Sequence, residues 1–336
     1  MKYNYVLFDN DGEYYKIARH DMEQLPNFRV RLRWLPSGSK LKKFLFRLHT
    51  SSFLNCRRPF LFQHFWCRAF VGELNFPEDK PICFIFTTAL TRISRQMKLF
   101  DYLRKTYSGC KLVFLLKDTF AAAKRVDPFF DIEEAKRIYD EIYTINTIEA
   151  EQYGLKKIHS FCSTYPVETS PEDKKFDVIF VGVVKDRLDI VRRAYEKFTA
   201  AGLTCDFLLV SKTPIDGLPE GLTVQDKGIP YGEMLRRTAN ARCILEVTQK
   251  DSDALTSRCL EALCYNKKLI SDNFRLKETK YYDSRYMWLY SDIDEIDPAF
   301  VWEEIDVDYH YDGAFSPVRG LELIESDLLR GDSEEG

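Results

Sequence analysis

Two parallel α/β domains are what this sequence predicts, and three observations predict them. Apolar strands alternate with amphipathic helices in both halves of the chain, the signature of parallel layers. The stretch from Ser163 to Lys175 carries two prolines and no apolar period, so it reads as a connection between halves. A length of 336 residues is long for one core and comfortable for two. The boundaries follow: a first domain over 1–165, a linker over 166–175, a second domain over 176–310, and a C-terminal segment over 311–336. That segment is expected to pack back on the first domain and to end in a frayed acidic tail.

In the first half, Tyr3–Phe8 and Ile82–Thr88 are strand-like apolar runs. Arg92–Tyr107 reads as one helix with Ile93, Met97, Phe100 and Leu103 inward, stopped near Gly109. Lys111–Leu116 is the next strand, followed by a helix over 132–140, the strand 141–145 and a short helix ending at Gly154. The second half opens with the strand Asp177–Gly182. A helix runs from about Arg187 to Ala201, capped by Asp186 and closed at Gly202. The strand Cys205–Val210, a turn-rich loop, a strand near Thr223 and a helix over Tyr231–Ala239 come next. No internal repeat beyond this duplicated alternation and no low-complexity segment is present.

No apolar run reaches transmembrane length, and the N-terminus enters a strand without a signal-peptide layout. Nine cysteines with no C-x-x-C pair fit a reducing cytoplasm and give no structural zinc pattern. The net charge of −3 hides an asymmetry. Between Glu23 and Glu73 there is no acid but ten bases, among them Lys40, Lys42, Lys43, Arg57, Arg58 and Arg68, interleaved with ten Phe and Trp residues. From Asp283 onward sixteen acids face three bases. The basic, aromatic stretch points to an anionic partner: a membrane surface or a lipid-linked phosphate, with nucleic acid last, because the whole chain is acidic and no nucleic-acid module is visible. The plain alternative is a solvated basic face over an aromatic core.

The segment Arg242–Asn273 is the most informative part of the chain. It reads as a buried strand, a polar loop, a helix opening at Leu255-Thr256-Ser257 and a second buried strand. Leu255, Cys259 and Leu263 recur at i, i+4 and i+8 on the inner face, leaving Thr256, Arg258 and Glu261 on the other. A cation in the first helical turn opposes the helix dipole, so Arg258 makes sense beside a bound anion, where backbone amides and a guanidinium converge on phosphate. Glu261, one turn on, can accept hydrogen bonds from sugar hydroxyls. Diphosphate plus ribose means a nucleotide. On this reading Arg258→Ala costs binding but hardly any stability. The plain alternative makes Arg258 and Glu261 a solvated i, i+3 ion pair and Asp253 a helix cap.

The same block resembles the C-terminal half of bacterial GT-B glycosyltransferases of capsule, exopolysaccharide and lipopolysaccharide assembly. Leu255, Thr256, Arg258, Glu261, Ala262, Leu263, Lys267, Lys268, Leu269, Ile270 and Asn273 match their pattern. Ala254 stands where the family usually has Gly, its Gln is displaced to Gln249, and Asp253 with Glu261 has the spacing of its paired glutamates. Weaker landmarks lie at 8–15, 59–66, 80–86 and 143–154. The resemblance implies GT-B architecture, two Rossmann-like parallel α/β domains facing an interdomain cleft. It also makes Val181–Arg187 similar to the turn whose Gly182 allows close approach and whose Lys185 and Arg187 neutralise a leaving diphosphate.

Ligands of open parallel sheets bind beyond the carboxyl ends of the strands. In the second half these ends offer Gly182–Arg187, Ser211 and Glu246–Asp253; in the first, Asp9, Asp11, Thr87, Thr88, Lys117 and Asp118. A general base for an acceptor hydroxyl is a carboxylate or histidine on the first side, with Asp118 and His64 as candidates. Asp9-Asn-Asp11 has the short form of an Asp-x-Asp metal motif, but it follows the first strand directly, before a nucleotide-binding half could form. The expectation is a metal-independent, cytoplasmic, membrane-peripheral glycosyltransferase with a nucleotide-sugar as co-substrate and a lipid-linked or oligosaccharide acceptor at the inner leaflet. The alternatives are a GT-B-shaped sugar-nucleotide epimerase or pyruvyl transferase, and a non-catalytic nucleotide- or glycan-binding subunit.

Overall fold

The structure, a computed structural model, describes residues 1–51, 62–184, 186–249 and 254–334. It divides into two compact units, Met1–His159 with Pro317–Gly336 and Ser160–Ser316. The first unit holds β1 (Asn4–Phe8), β2 (Phe28–Arg31), β3 (Ile82–Thr87), β4 (Lys111–Leu116), β5 (Glu141–Thr144) and β6 (Lys156–Lys157). They form one sheet in the order β2-β1-β3-β4-β5-β6, parallel throughout. The second holds β7 (Phe176–Val183), β8 (Cys205–Val210), β9 (Thr223–Gln225), β10 (Ala241–Glu246), β11 (Lys268–Ser271) and β12 (Met287–Leu289). Its order is β12-β11-β10-β7-β8-β9, again all parallel.

Strand order reverses between β1 and β3 in the first sheet and between β7 and β10 in the second. Reversals of this kind are where open α/β sheets bind their ligands, beyond the strand ends. The central strands are continuous apolar runs because helices cover both faces. In the first unit the core is aromatic: Phe8 stacks on Phe86 with centroids 4.6 Å apart and on Phe70 at 5.8 Å. Phe180, Phe198, Phe207 and Leu245 fill one side of the second sheet, and Ile244, Cys259, Leu263 and Leu269 the other.

Several boundaries differ from expectation. The units meet at His159–Ser160, and 166–175 lies in the second unit, where Asp173 bonds Arg236 (2.8 Å) and Asn240 (2.9 Å). The expected single helix over 92–107 is two helices, Thr91–Gln96 and Leu99–Thr106, with Lys98 left-handed between them (φ 50°). An unbroken helix would point Met97 and Leu99 roughly 200° apart; the break lets both bury completely. Asp186 makes no cap. Arg187 occupies the N-cap of the helix Leu188–Ala200, with no side-chain cap bond. The edge strand β2 escaped notice because Phe-Arg-Val-Arg is short and half-polar.

The helix Pro317–Glu334 belongs to the first unit, while 311–316 stay with the second. It buries Leu321, Ile324 and Leu328 and supplies two carboxylates to buried tyrosines. Tyr5 donates to Glu325 Oε2 at 2.8 Å, and Tyr143 donates to Asp327 Oδ2 at 2.9 Å. Burial first, then these carboxylates, push both phenols far above their ordinary range. The segment is therefore structural. Leu321→Ala, which opens a cavity at a fully buried position, should cost about 2–5 kcal/mol in urea unfolding. An unchanged midpoint would mean that the helix contributes little to the first unit.

Candidate functional site

The reversal between β7 and β10 gathers most of the described donor-side candidates. β7 ends at Gly182-Val183, and its chain turns into Arg187. The Arg187 guanidinium folds back over the strand end, donating from Nη1 to Val247 O (2.6 Å) and from Nη2 to Val183 O (2.7 Å). Gly182 is what admits it. A Cβ there would lie 2.8 Å from Arg187 Nη2 and 3.1 Å from the Phe180 ring. The close approach expected of this glycine is thus made by the chain's own guanidinium. Arg187 Nε is buried without a hydrogen-bond partner among the described residues.

Across the reversal, Thr256 caps the helix Ser257–Cys264, its hydroxyl accepting from Arg258 N at 3.1 Å. Arg258 Nη1 donates to Glu261 Oε1 at 2.6 Å, and Nη2 reaches Val181 O at 3.3 Å. Tyr231 donates its hydroxyl to Glu261 Oε1 at 2.7 Å. The i, i+3 pair of the plainer reading therefore exists, but it is not solvated: Glu261 is 0% exposed and the Arg258 side chain 20%. This corrects the placing of Glu261 on the open face. Its carboxylate is closed off and held by Arg258 and Tyr231, so it anchors the guanidinium rather than facing solvent.

Behind this pair sits a fully buried carboxyl, Glu246, at the end of β10. Thr256 and Ser271 donate their hydroxyls to it, and Cys259 its thiol at 2.8 Å. Burial raises the Glu246 pKa, against the lowering by its three donors. Asp272, after β11, is raised by burial too, and accepts from Thr248 N at 2.8 Å. Arg187 is lowered, chiefly by burial and in part by the charge of Arg258, while Asp186, Asp272 and Glu246 pull it up. Two guanidiniums thus lie at the end of β7, Arg187 on Val183 O and Arg258 on Val181 O. An anion between them would relieve their repulsion.

The remaining candidates lie as follows. Ser211, after β8, spends its hydroxyl locally, donating to Thr213 O at 2.7 Å. Lys185, Asp253, Arg57 and Arg58 fall outside the described residues. In the first unit, Asp118 is exposed and accepts from Thr119 N at 2.8 Å. His64 is exposed on the helix Gln63–Val71, its ring edge-on to Tyr102 at 5.1 Å. Asp9 is buried at the end of β1 and taken by Lys117 (3.1 Å), Arg19 (3.5 Å) and the Thr87 hydroxyl (3.1 Å). Lys40, Lys42 and Lys43 open the helix Lys40–Thr50, capped by Ser39. Tyr231 and Asp272 were missed as site residues, and Glu246, offered as an open strand end, is enclosed. The one legible signal was a carboxylate closing each of two apolar strands, Ile-Leu-Glu246 and Ile-Ser-Asp272.

No protein-family model matches the chain, and no curated protein matches it. Among solved structures, an alpha-glucosyltransferase in complex with UDP and a 13-mer DNA containing a central A:G mismatch is similar over 96% of this chain and 99% of that one, with 14% identity and a TM-score of 0.57. The glycotransferase of kitacinnamycin (97% and 99% covered, 12% identity, TM-score 0.40) and the spinosyn forosaminyltransferase SpnP (90% and 88%, 12%, 0.37) are too distant to bear on the site. With its two six-stranded parallel sheets, the chain has the GT-B fold.

Two predictions follow from the geometry. Arg258→Ala leaves a buried carboxylate without its cation, so it should destabilise the protein by about 3–5 kcal/mol in urea unfolding, in place of the small effect that the sequence suggests. For Glu246, a folded-state pKa above the unfolded value means that the native state holds the proton longer. Its contribution is then fully present below the ordinary carboxyl range and declines as pH rises through the folded value. Glu246→Gln should therefore gain on the wild type as pH rises above the ordinary carboxyl range. A parallel pH dependence of the two unfolding midpoints would contradict this.

Proposed function

We propose that this protein transfers a sugar from a nucleotide-sugar to an acceptor hydroxyl, with its donor site at the β7–β10 switch point. The observation that carries this reading is the pair of guanidiniums on neighbouring carbonyls at the end of β7, Arg187 on Val183 O and Arg258 on Val181 O, with Arg258 in the first turn of the capped helix Ser257–Cys264. Departure of a nucleoside diphosphate puts negative charge on the leaving oxygen. Preorganised cations are the means to stabilise it. Glu261 and Tyr231 fix the Arg258 fork before the ligand arrives, so little ordering remains to be done at the moment of reaction. Lys185 would add a third cation. Glu261, enclosed by Arg258 and Tyr231, does not serve the ribose contact expected of it.

The acceptor hydroxyl must lose a proton as the new bond forms if the sugar is inverted. Asp118 and His64 are the two candidates for that base. The acceptor we favour is a lipid-linked glycan of surface polysaccharide assembly, supported by the match around Arg258 and by the basic, aromatic stretch before Glu73. Duplex nucleic acid is the second reading, favoured by the DNA bound in the similar glucosyltransferase; the net charge of −3 weighs against it. The transfer we propose is metal-independent, because the guanidiniums bring the charge that a divalent ion would otherwise supply.

Titration with a nucleoside diphosphate tests the donor site. Arg258→Lys keeps a cation beside Glu261 but loses the planar fork, so its affinity in calorimetry should fall by about 1.5–3 kcal/mol with the fold retained. Equal affinity of variant and wild type would end the phosphate role of Arg258. Turnover of nucleotide-sugars should persist in EDTA; activity that disappears there and returns with Mn²⁺ would overturn metal independence. Nucleotide binding without transfer to any acceptor would favour the non-catalytic alternative, and interconversion of the nucleotide-sugar itself would favour the epimerase.

A further inference from the structure

We propose that the helix Lys40–Thr50 is a docking element for an anionic lipid bilayer. Leu41, Phe44, Leu45 and Leu48 recur at i, i+3, i+4 and i+7, the spacing with which a globular helix meets its core. Here they face outward instead, 65%, 56%, 39% and 37% exposed. What the helix buries is Phe46 and Thr50. The Phe46 ring lies 5.7 Å from both Trp66 and Phe70, and Phe70 stacks on Phe8 of β1. Phe46, the His49 ring 5.6 Å from Trp66 and Arg92 on Thr50 O (3.2 Å) fasten the helix to the first unit, and the leucine stripe remains outside. Phe65, 53% exposed, extends that stripe from the next described helix, with Lys42 Nζ 5.1 Å from its ring.

A patch of this kind is costly in water unless something covers it. Its surroundings say what. Lys40, Lys43, Arg47 and Arg68 are exposed around it, Arg47 lies 4.9 Å over the Trp34 ring, and the sequence holds no acid from residue 24 to residue 72. Cations at headgroup level with leucines and aromatics beneath them are the composition of an interfacial helix. A second copy of this chain would set like charge against like. Nucleic acid would satisfy the cations, and its bases could stack on Phe, but it offers nothing to three leucines. The inference rests on the proposed function only for its purpose, the meeting with a lipid-linked acceptor; the surface itself is independent of the donor site.

The test is co-sedimentation of the full chain with phosphatidylglycerol vesicles, with phosphatidylcholine vesicles and with duplex DNA in parallel. The chain should bind the anionic vesicles most tightly. Lys40→Ser with Lys42→Ser and Lys43→Ser should weaken that binding roughly 100-fold, at about 1 kcal/mol per cation before salt screening. Leu41→Ser with Phe44→Ser, at exposed positions, should weaken it at least about tenfold at both low and high salt, with an unchanged melting temperature. Undiminished vesicle binding by the Leu41/Phe44 variant would overturn the docking role, as would binding to duplex DNA without binding to vesicles. Calorimetry with UDP on the same samples separates the two readings: vesicle binding without any nucleotide binding sinks the donor site and leaves the docking surface, and the reverse result sinks the docking surface alone.

Discussion

The proposed donor site depends on one buried carboxyl. Glu246 closes β10, takes the Thr256 hydroxyl and the Cys259 thiol from the helix Ser257–Cys264, and takes the Ser271 hydroxyl from the end of β11. Three elements are thereby held at one point beneath the site. The linkage spreads outward: Ser271 Oγ also accepts from Asn273 N at 2.9 Å, Asn273 Nδ2 donates to Ala254 O at 3.1 Å, and Tyr290 donates its hydroxyl to Glu246 O at 3.0 Å. Both ends of the loop between β10 and the helix are fixed by groups that Glu246 organises. Such a network is worth having only when its members are satisfied, since a lone buried carboxyl is expensive.

The first unit uses a related device with different chemistry. Asp9 ends β1 at the other switch point and is as deeply buried as Glu246, but its partners are Lys117, Arg19 and a threonine hydroxyl. At Glu246 the donors are neutral, and burial prevails over them to raise the carboxyl. Two carboxyls at equivalent places in two similar sheets are therefore set to different tasks. Asp9 balances local positive charge. Glu246 braces a helix whose first turn carries a cation of its own.

That cation shows how burial changes the meaning of a residue pair. Arg258 at a helix N-terminus is unfavourable in isolation, and the Arg258–Glu261 spacing is that of an ordinary surface ion pair. Once Glu261 is enclosed and shared with Tyr231, the pair becomes obligatory, because neither charge can be removed without stranding the other. The guanidinium is then held rigidly beside Arg187, which Gly182 admits over the strand end. Repulsion between the two is accepted in the unliganded protein and is what a diphosphate would relieve.

Much of this was legible in the sequence, for a physical reason. Continuous apolar runs and 3.6-residue periods report local burial, so the alternation of layers in both units and the linkage of β10 to β11 through a capped helix could be read along the chain; the GT-B resemblance rested separately on the residues matched around Thr256 and Arg258. Tertiary structure alone decided which polar groups lie inside. Glu261 looks like a surface residue until Tyr231, thirty positions upstream, closes over it; Glu246 gains its role from Ser271 on another strand; and the leucines of Lys40–Thr50 follow a core period yet face outward because Phe46 took the inward place. Periodicity fixes the spacing of a face, but only packing against residues distant in sequence decides which face is buried, and burial is what sets the charge, the pKa and the partners of each group.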